Sequence, residues 1–140
     1  LQSKKFENMF VIGDATNVPA SKAGSVAHFE GEILLENILS YINQLPLEAK
    51  FDGHANCFIE TGFGKAALID FNYVTEPLAG KFPWPVVGPM GLLKVTRANH
   101  FGKLAFRWVY WHILLTGKKL PVSTHMSMTG KIKEEETALV

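Results

Sequence analysis

The sequence predicts an α+β fold, and three stretches carry that prediction. An apolar run at 10–12 stops at Gly13-Asp14 and precedes a long helical pattern, as where a buried strand leads into a helix. Two short apolar segments flank a Gly-rich turn at 62–64, which is typical of a hairpin. Aromatic and basic residues alternate with helical spacing through 91–115, which indicates amphipathic helices near the carboxyl end.

Composition excludes several classes of protein. The chain has 140 residues, 47% of them apolar and 19% charged, which is ordinary for one globular domain with a core. A net charge of +1 argues neither for nor against nucleic acid. The sequence has no basic run interleaved with aromatics of the kind that single-strand binders use, so a nucleic-acid partner is not expected. Cys57 is the single cysteine, so no disulfide and no multi-cysteine metal site can form within the chain, and no metal is predicted.

The beginning of the chain predicts a fragment. It starts Leu1-Gln2-Ser3, with neither an initiator methionine nor a basic-then-apolar leader, so we expect it to be part of a longer protein. Three regions are expected, namely the end of one domain at 1–47, a hairpin followed by helices at 48–130, and a disordered tail at 131–140.

The stretch 10–24 has the features of a binding loop. At the end of a strand, Asp14 would offer a charged acceptor to sugar-like hydroxyls, and unpaired N–H groups at 21–24 would favour partial negative charge. A ribityl chain beside an electron-rich ring would suit both groups. The alternative is purely structural, with Asp14 closing a turn and Ser21 capping a helix.

The remaining elements follow in order. Apolar residues keep helical spacing from about 23 to 44, and Pro46 is expected to end that helix. Residues 52–71 read as the two strands of the hairpin, and the prolines and glycines of 74–91 predict a surface loop. The pattern at 91–115 predicts one helix, or two helices broken near 99–102.

Residues 11–28, VIGDATNVPASKAGSVAH, resemble the second flavin-binding segment of the two-dinucleotide-binding-domain flavoproteins, and within them of the sulfide:quinone oxidoreductases. The resemblance implies that Asp14 holds a ribityl hydroxyl of FAD and that the backbone of the helix start faces the pyrimidine edge of the flavin. The cofactor-binding residues expected on this basis are Gly13, Asp14, Ser21, Lys22, Ala23 and Gly24.

The amino-terminal Gly-x-Gly-x-x-Gly turn of that family is absent from this sequence. Its nearest counterpart, at 62–64, lacks the third glycine and opens no helix. The chain alone is therefore expected to bind FAD poorly and to be inactive.

A second segment resembles the same family. Residues 52–65, DGHANCFIETGFGK, are similar to the family's Cys-containing segment, which implies a redox role for Cys57 against the flavin. The chain departs from that pattern at 54–56 and at 58–60. A reactive thiol needs a stabilised thiolate, for which a helix N-terminus or a cation such as His54 or Lys65 would serve. The family's second cysteine is expected outside this chain, and the alternative for Cys57 is a small buried apolar residue.

The aromatic and basic helix at 101–115 is typical either of a membrane-surface helix or of a core helix with a solvated edge. It is too short an apolar stretch to span a bilayer. The resemblance implies peripheral docking on the membrane and an apolar quinone channel, with Phe82, Trp84, Phe101 and Trp108 as candidate lining residues.

The function expected from these residues and from the resemblance is electron transfer from sulfide or a thiol sulfur, through Cys57 and FAD, to a membrane quinone. The expected location is cytoplasmic, at the inner face of the membrane, and a homo-oligomer is expected. Two alternatives stay open, namely an NADH:quinone-type flavoprotein in which Cys57 is idle, and a non-catalytic module that oligomerises.

Overall fold

The computed structural model describes residues 1–84, 87–120 and 122–132. Its described part contains two α-helices and four β-strands, which confirms the α+β class. The helices are α1 (Gly24–Ile42) and α2 (Arg97–His112), and the strands are β1 (Ala55–Gly62), β2 (Lys65–Phe71), β3 (Gly80–Phe82) and β4 (Met90–Leu92). Short 3-10 turns occupy Gly13–Ala15 and Leu114–Thr116.

The four strands form one mixed sheet in the order β1-β2-β4-β3. β1 and β2 form an antiparallel hairpin, whereas β2 runs parallel to β4. The predicted hairpin and its turn are confirmed, because Gly62, Phe63 and Gly64 all have positive φ, at 85°, 52° and 65°. Glycine adopts that conformation without steric cost, which is why the Gly-rich turn reverses the chain here.

The two helices flank β1 from opposite faces of the sheet. Successive side chains of a strand point to opposite faces, and Cys57 contacts Ser25 of α1 while Glu60 binds His100 of α2. Buried apolar side chains form a small core among the described residues, comprising Val26, Phe29, Ile33, Ala55, Ala66, Leu68 and Leu92. This arrangement puts the start of α1 beside the middle of β1.

Helix α1 agrees with the predicted helix except at its end. It stops at Ile42, before Pro46, and the side chain of Asn43 donates to the carbonyl of Leu39 at 2.8 Å. Such a side-chain bond satisfies one of the carbonyls that a helix end leaves free, so the helix ends without needing the proline.

The predicted strand at 10–12 is reduced to a single β-bridge between Gln2 and Phe10. The N–H of Val11 also donates to the carbonyl of Leu1 at 3.0 Å. An apolar run becomes a strand only when another backbone lies alongside it, and within the described residues the neighbour of this run is the short turn at 1–9.

The carboxyl-terminal helix differs from its prediction in two respects. Residues 90–92 belong to β4, and α2 begins at Arg97, where the Thr96 hydroxyl accepts a hydrogen bond from the N–H of Asn99 at 3.0 Å. This N-cap fixes the start of the helix, and α2 then continues without a break through 99–102.

The predicted loop at 74–91 contains β3 and the start of β4. Of the predicted tail, 133–140 lies outside the described residues, whereas Lys131 forms a β-bridge with Gly80. In the described part of the chain, neither helix is long and apolar enough to cross a membrane.

Candidate functional site

The start of α1 has no side-chain cap. Its N-cap residue is Ala23, with extended backbone angles, and no side chain accepts a hydrogen bond from the first turn. The first α-helical bond runs from the N–H of Ala27 to the carbonyl of Ala23. The earlier N–H groups therefore keep their donor capacity, and the helix dipole adds positive potential at this end. Ser21 therefore does not cap this helix, although a helix cap was the structural alternative for it.

The Gly13-Asp14 turn lies against the same end of α1. The N–H of Gly13, at φ 68°, donates to the Glu30 carboxylate at 2.6 Å, and Glu30 is 1% exposed. The hydroxyl of Thr16 donates back to the carbonyl of Gly13 at 3.0 Å. Asp14 is exposed beside this fixed backbone, so its carboxylate is accessible to a ligand.

The loop between the turn and the helix is closed by Lys22. Its ammonium donates to the carbonyl of Thr16 at 2.8 Å, which holds 16–22 as a compact loop. The six cofactor-binding candidates therefore occupy one short, internally bonded stretch that ends at the uncapped start of α1.

Cys57 lies on β1 next to this helix start. Its side chain is half-buried, and its Sγ is 3.9 Å from the Oγ of Ser25 in the first turn of α1. Of the groups considered as thiolate partners, the helix N-terminus is the one beside the thiol. His54 is engaged with Asp70, and Lys65 begins β2 at the far end of the hairpin, four strand positions and therefore about 13 Å from the level of Cys57.

A buried polar cluster surrounds His54. Its Nε2 lies 2.7 Å from an oxygen of Asp70, its Nδ1 lies 3.0 Å from the carbonyl of Thr124, and its ring stacks on Phe29 at 4.2 Å. The ammonium of Lys131 binds the other oxygen of Asp70. Burial raises the pKa of Asp70, but the hydrogen bonds from His54 and Lys131 outweigh that effect and leave the pKa below its ordinary value.

Sequence reasoning missed Glu30 as a structural residue. The buried residues of α1 are Val26, Phe29, Glu30, Ile33 and Asn37, so this glutamate lies on the packed face of the helix. The signal was present, because Glu30 falls between Phe29 and Ile33 at helical spacing. A charged residue inside an apolar stripe indicates a buried partner.

The four candidate quinone-lining residues lie in two places. Phe82, on β3, is half-buried and borders a cavity of about 90 Å³ with His54 and Asp70, and Trp84 follows it at the surface. Phe101 and Trp108 lie seven residues apart on α2 and are 64% and 58% exposed. Residues at that spacing share one helix face. The two members of each pair therefore lie near each other, but no described contact joins Phe82 and Trp84 to Phe101 and Trp108.

The outer face of α2 is apolar. Phe101, Trp108, Leu104 and Trp111 are all exposed along it, while on the sheet side Asn99 is fully buried and Gly102 packs against Met90. Within the described chain these aromatics are therefore uncovered, and the alternative of a core helix with a solvated edge requires a surface outside this chain to bury them.

Comparison with known proteins gives consistent relatives, although no family model matches. The chain is 34% identical over 118 residues to the mitochondrial sulfide:quinone oxidoreductase of Mus musculus, a match that covers 84% of this chain and 25% of that protein. It is 32% identical over 121 residues to the mitochondrial sulfide:quinone oxidoreductase of Dictyostelium discoideum, with the same two coverages. The corresponding protein of Schizosaccharomyces pombe is 37% identical over 76 residues, which is 54% of this chain and 17% of that protein.

The three relatives belong to one class of proteins, all named as oxidoreductases. This chain is a relative of the sulfide:quinone oxidoreductases, which confirms the family predicted from residues 11–28 and 52–65. The chain spans about a quarter of the length of the mouse and Dictyostelium relatives.

Proposed function

We propose that this chain is the carboxyl-terminal part of a two-dinucleotide-binding-domain flavoprotein that passes electrons from sulfide, or from a small thiol sulfur, to a membrane quinone. The observation that carries the proposal is the contact between Cys57 and Ser25, 3.9 Å apart. It joins the two segments that resemble the family, which are 32 residues apart at these positions. A candidate thiol and a candidate cofactor loop therefore share one end of α1.

The residues at this end of the helix fit FAD. The helix start carries N–H donors without a side-chain cap, which suits the electron-rich edge of a flavin. Asp14 is exposed on a turn that Gly13 and Glu30 fix, so it would hold a hydroxyl of the ribityl chain. Gly13, Ser21, Lys22, Ala23 and Gly24 would supply the surrounding backbone. When bound, FAD supplies a two-electron acceptor.

The role proposed for Cys57 is to carry sulfur. Hydrosulfide attacks the Cys57 sulfur of a disulfide between Cys57 and a second cysteine outside this chain, so that Cys57 becomes a persulfide, the bond between the two cysteines breaks, and the second cysteine leaves as a thiolate. The start of α1 and the Ser25 hydroxyl would stabilise the negative sulfur next to them.

The quinone side is proposed to lie toward the membrane. The exposed apolar face of α2, with Phe101 and Trp108, would insert among lipid headgroups, and Arg107 and Lys103 would favour anionic lipid. Phe82 and Trp84 would line the apolar path to the quinone. Peripheral association at the cytoplasmic, inner face of the membrane is part of the proposal, as is a homo-oligomer. The names of the three relatives describe those proteins as mitochondrial.

The experiment uses the whole protein that contains this chain. We expect it to be yellow, to be bleached by sulfide without oxygen, and to reduce a water-soluble quinone. Cys57→Ser should abolish sulfide-dependent quinone reduction while FAD stays bound, because the change removes the nucleophile but little volume. Ile59→Val, at an exposed position two residues further along β1, is the matched control and should keep near-normal turnover.

Three outcomes would contradict the proposal. Near-normal turnover of Cys57→Ser would make this cysteine structural. Bleaching by NADH alone would indicate a flavoprotein dehydrogenase in which Cys57 is idle. A colourless protein that still assembles would indicate a non-catalytic module.

A further inference from the structure

Residues 122–132, here called the strap, are fastened to three parts of the fold. The Thr124 hydroxyl donates to Glu32 of α1 at 2.7 Å, and the N–H of Met126 donates to Asp52 at 3.1 Å. The N–H of Ile132 donates to the carbonyl of Ala79, just before β3, at 2.8 Å. The strap therefore crosses from α1 to the edge of the sheet.

Polar contacts, rather than apolar burial, fasten the strap. No residue of the strap is fully buried. The side chain of Lys131 is nevertheless only 2% exposed, and it forms an ion pair with Asp70, whose side chain is 5% exposed. A segment with little apolar burial depends on the hydrogen bonds and charges that hold it.

His54 joins the strap to the sheet. Its Nδ1 lies 3.0 Å from the carbonyl of Thr124, and its Nε2 lies 2.7 Å from Asp70. Lys131 binds the same carboxyl group, so two residues of the strap and one of β2 meet around this imidazole.

Other charged groups surround this cluster from each neighbouring element. Asp52 accepts from the backbone N–H of His54 at 3.0 Å, and on α1 Glu32 lies 3.8 Å from His28. His125, on the strap itself, binds the carbonyl of Lys50 at 2.9 Å. Asp52 therefore adds a second carboxylate next to His54, besides that of Asp70. Breaking one partner of such a buried cluster leaves the others uncompensated, which is costly.

We propose that the strap is an electrostatically latched cover. The cluster of His54, Asp70 and Lys131 holds it closed over the cavity of about 90 Å³ beside Phe82, and loss of one charge of the cluster opens it. The proposal concerns access to this cavity and is independent of the redox function proposed above.

Hydrogen exchange at fixed neutral pH tests the latch in the whole protein. Lys131→Met removes the ammonium, and we expect the amides of Met126 and Ile132 to exchange at least tenfold faster, with α1 and the β1–β2 hairpin unchanged. Lys118→Met, at an exposed lysine before the strap, is the matched control and should change neither amide. Exchange within twofold of the unmodified protein in Lys131→Met would overturn the proposal.

A second variant keeps the test decisive if Lys131→Met destabilises the whole sheet. Thr124→Val removes the bond to Glu32 but no charge of the cluster, so the strap amides should exchange within about threefold of the unmodified protein. Exchange at least tenfold faster in Thr124→Val would overturn the proposal, because the charges would then not be what holds the strap.

Discussion

The backbone N–H of Gly13 donates to the carboxylate of Glu30 across seventeen residues of sequence, at 2.6 Å. This bond attaches the loop that carries Asp14 to the second turn of α1. Glu30 is 1% exposed, so the loop is fixed by an acceptor that water does not reach.

Glu30→Ala is therefore expected to release the loop. It leaves the part-buried N–H of Gly13 without its charged acceptor, which costs about 1–3 kcal/mol of stability, and it should weaken FAD binding in the whole protein. The measurement is flavin retention on dilution, together with chemical denaturation. Glu36→Ala, at an exposed position of the same helix, is the control, and equal flavin retention in the two variants would contradict the role of Glu30.

Acid is expected to weaken the fold through Asp70. The pKa of this carboxyl is lowered in the folded state, because the hydrogen bonds from His54 and Lys131 outweigh the burial that raises it. Its contribution to stability is therefore complete above the ordinary carboxyl pKa of about 3.9 and is lost as the pH falls through the lowered folded value.

The difference in unfolding free energy between the unmodified protein and Asp70→Asn should accordingly be constant near neutral pH and shrink below pH of about 4. Denaturation at a series of pH values measures it. Asp14→Asn removes an exposed carboxylate and is the control. A difference that grows toward acid would reverse the sign and contradict the assignment.

The outer face of α2 is expected to bind anionic vesicles. Its exposed aromatics should insert, while the cations beside them contribute about 1 kcal/mol each at the surface. Tryptophan fluorescence of the whole protein should shift to the blue on titration, less so at high salt. Trp108→Ala should weaken the binding more than Trp84→Ala does. No shift and no co-sedimentation at either salt concentration would remove the simplest route to a membrane quinone.

The 140-residue chain on its own is expected to hold no tightly bound FAD. It contains the loop at 11–28 but not the Gly-x-Gly-x-x-Gly turn that receives a pyrophosphate. Flavin absorbance after purification of this chain measures it, and a stoichiometric yellow complex would refute the expectation.

Local signals in the sequence were sufficient for α1 and for the hairpin. The glycines of 62–64 encode their own turn, and the apolar spacing of 26–33 encodes its own helix face. The strand expected at 10–12 depended on a neighbouring backbone that the described chain supplies only as a short turn. A helix or hairpin is thus predictable when residues close to one another in sequence are enough to form it.

The cluster around His54 was not predictable, because it is formed by residues that are far apart in sequence. Its partners lie at sequence separations of 16 residues for Asp70 and 70 residues for Thr124. No periodicity links such positions, and each residue alone is compatible with an exposed surface. The candidate site residues at 13–24 and Cys57 were proposed instead through their resemblance to a family, and the proximity of the two segments at Ser25 became visible only in three dimensions.

Helix α1 fixes the relative positions of three contacts with other parts of the chain. Ser25 meets the thiol, Phe29 stacks on the imidazole and Glu32 receives Thr124, at offsets of four and seven residues that put all three on one side of the rod within about 10 Å of axial rise. Inserting one residue after Ser25 would turn the first of these contacts by about 100° relative to the other two. The phase of a single helix therefore sets which distant parts of the chain can be in place together.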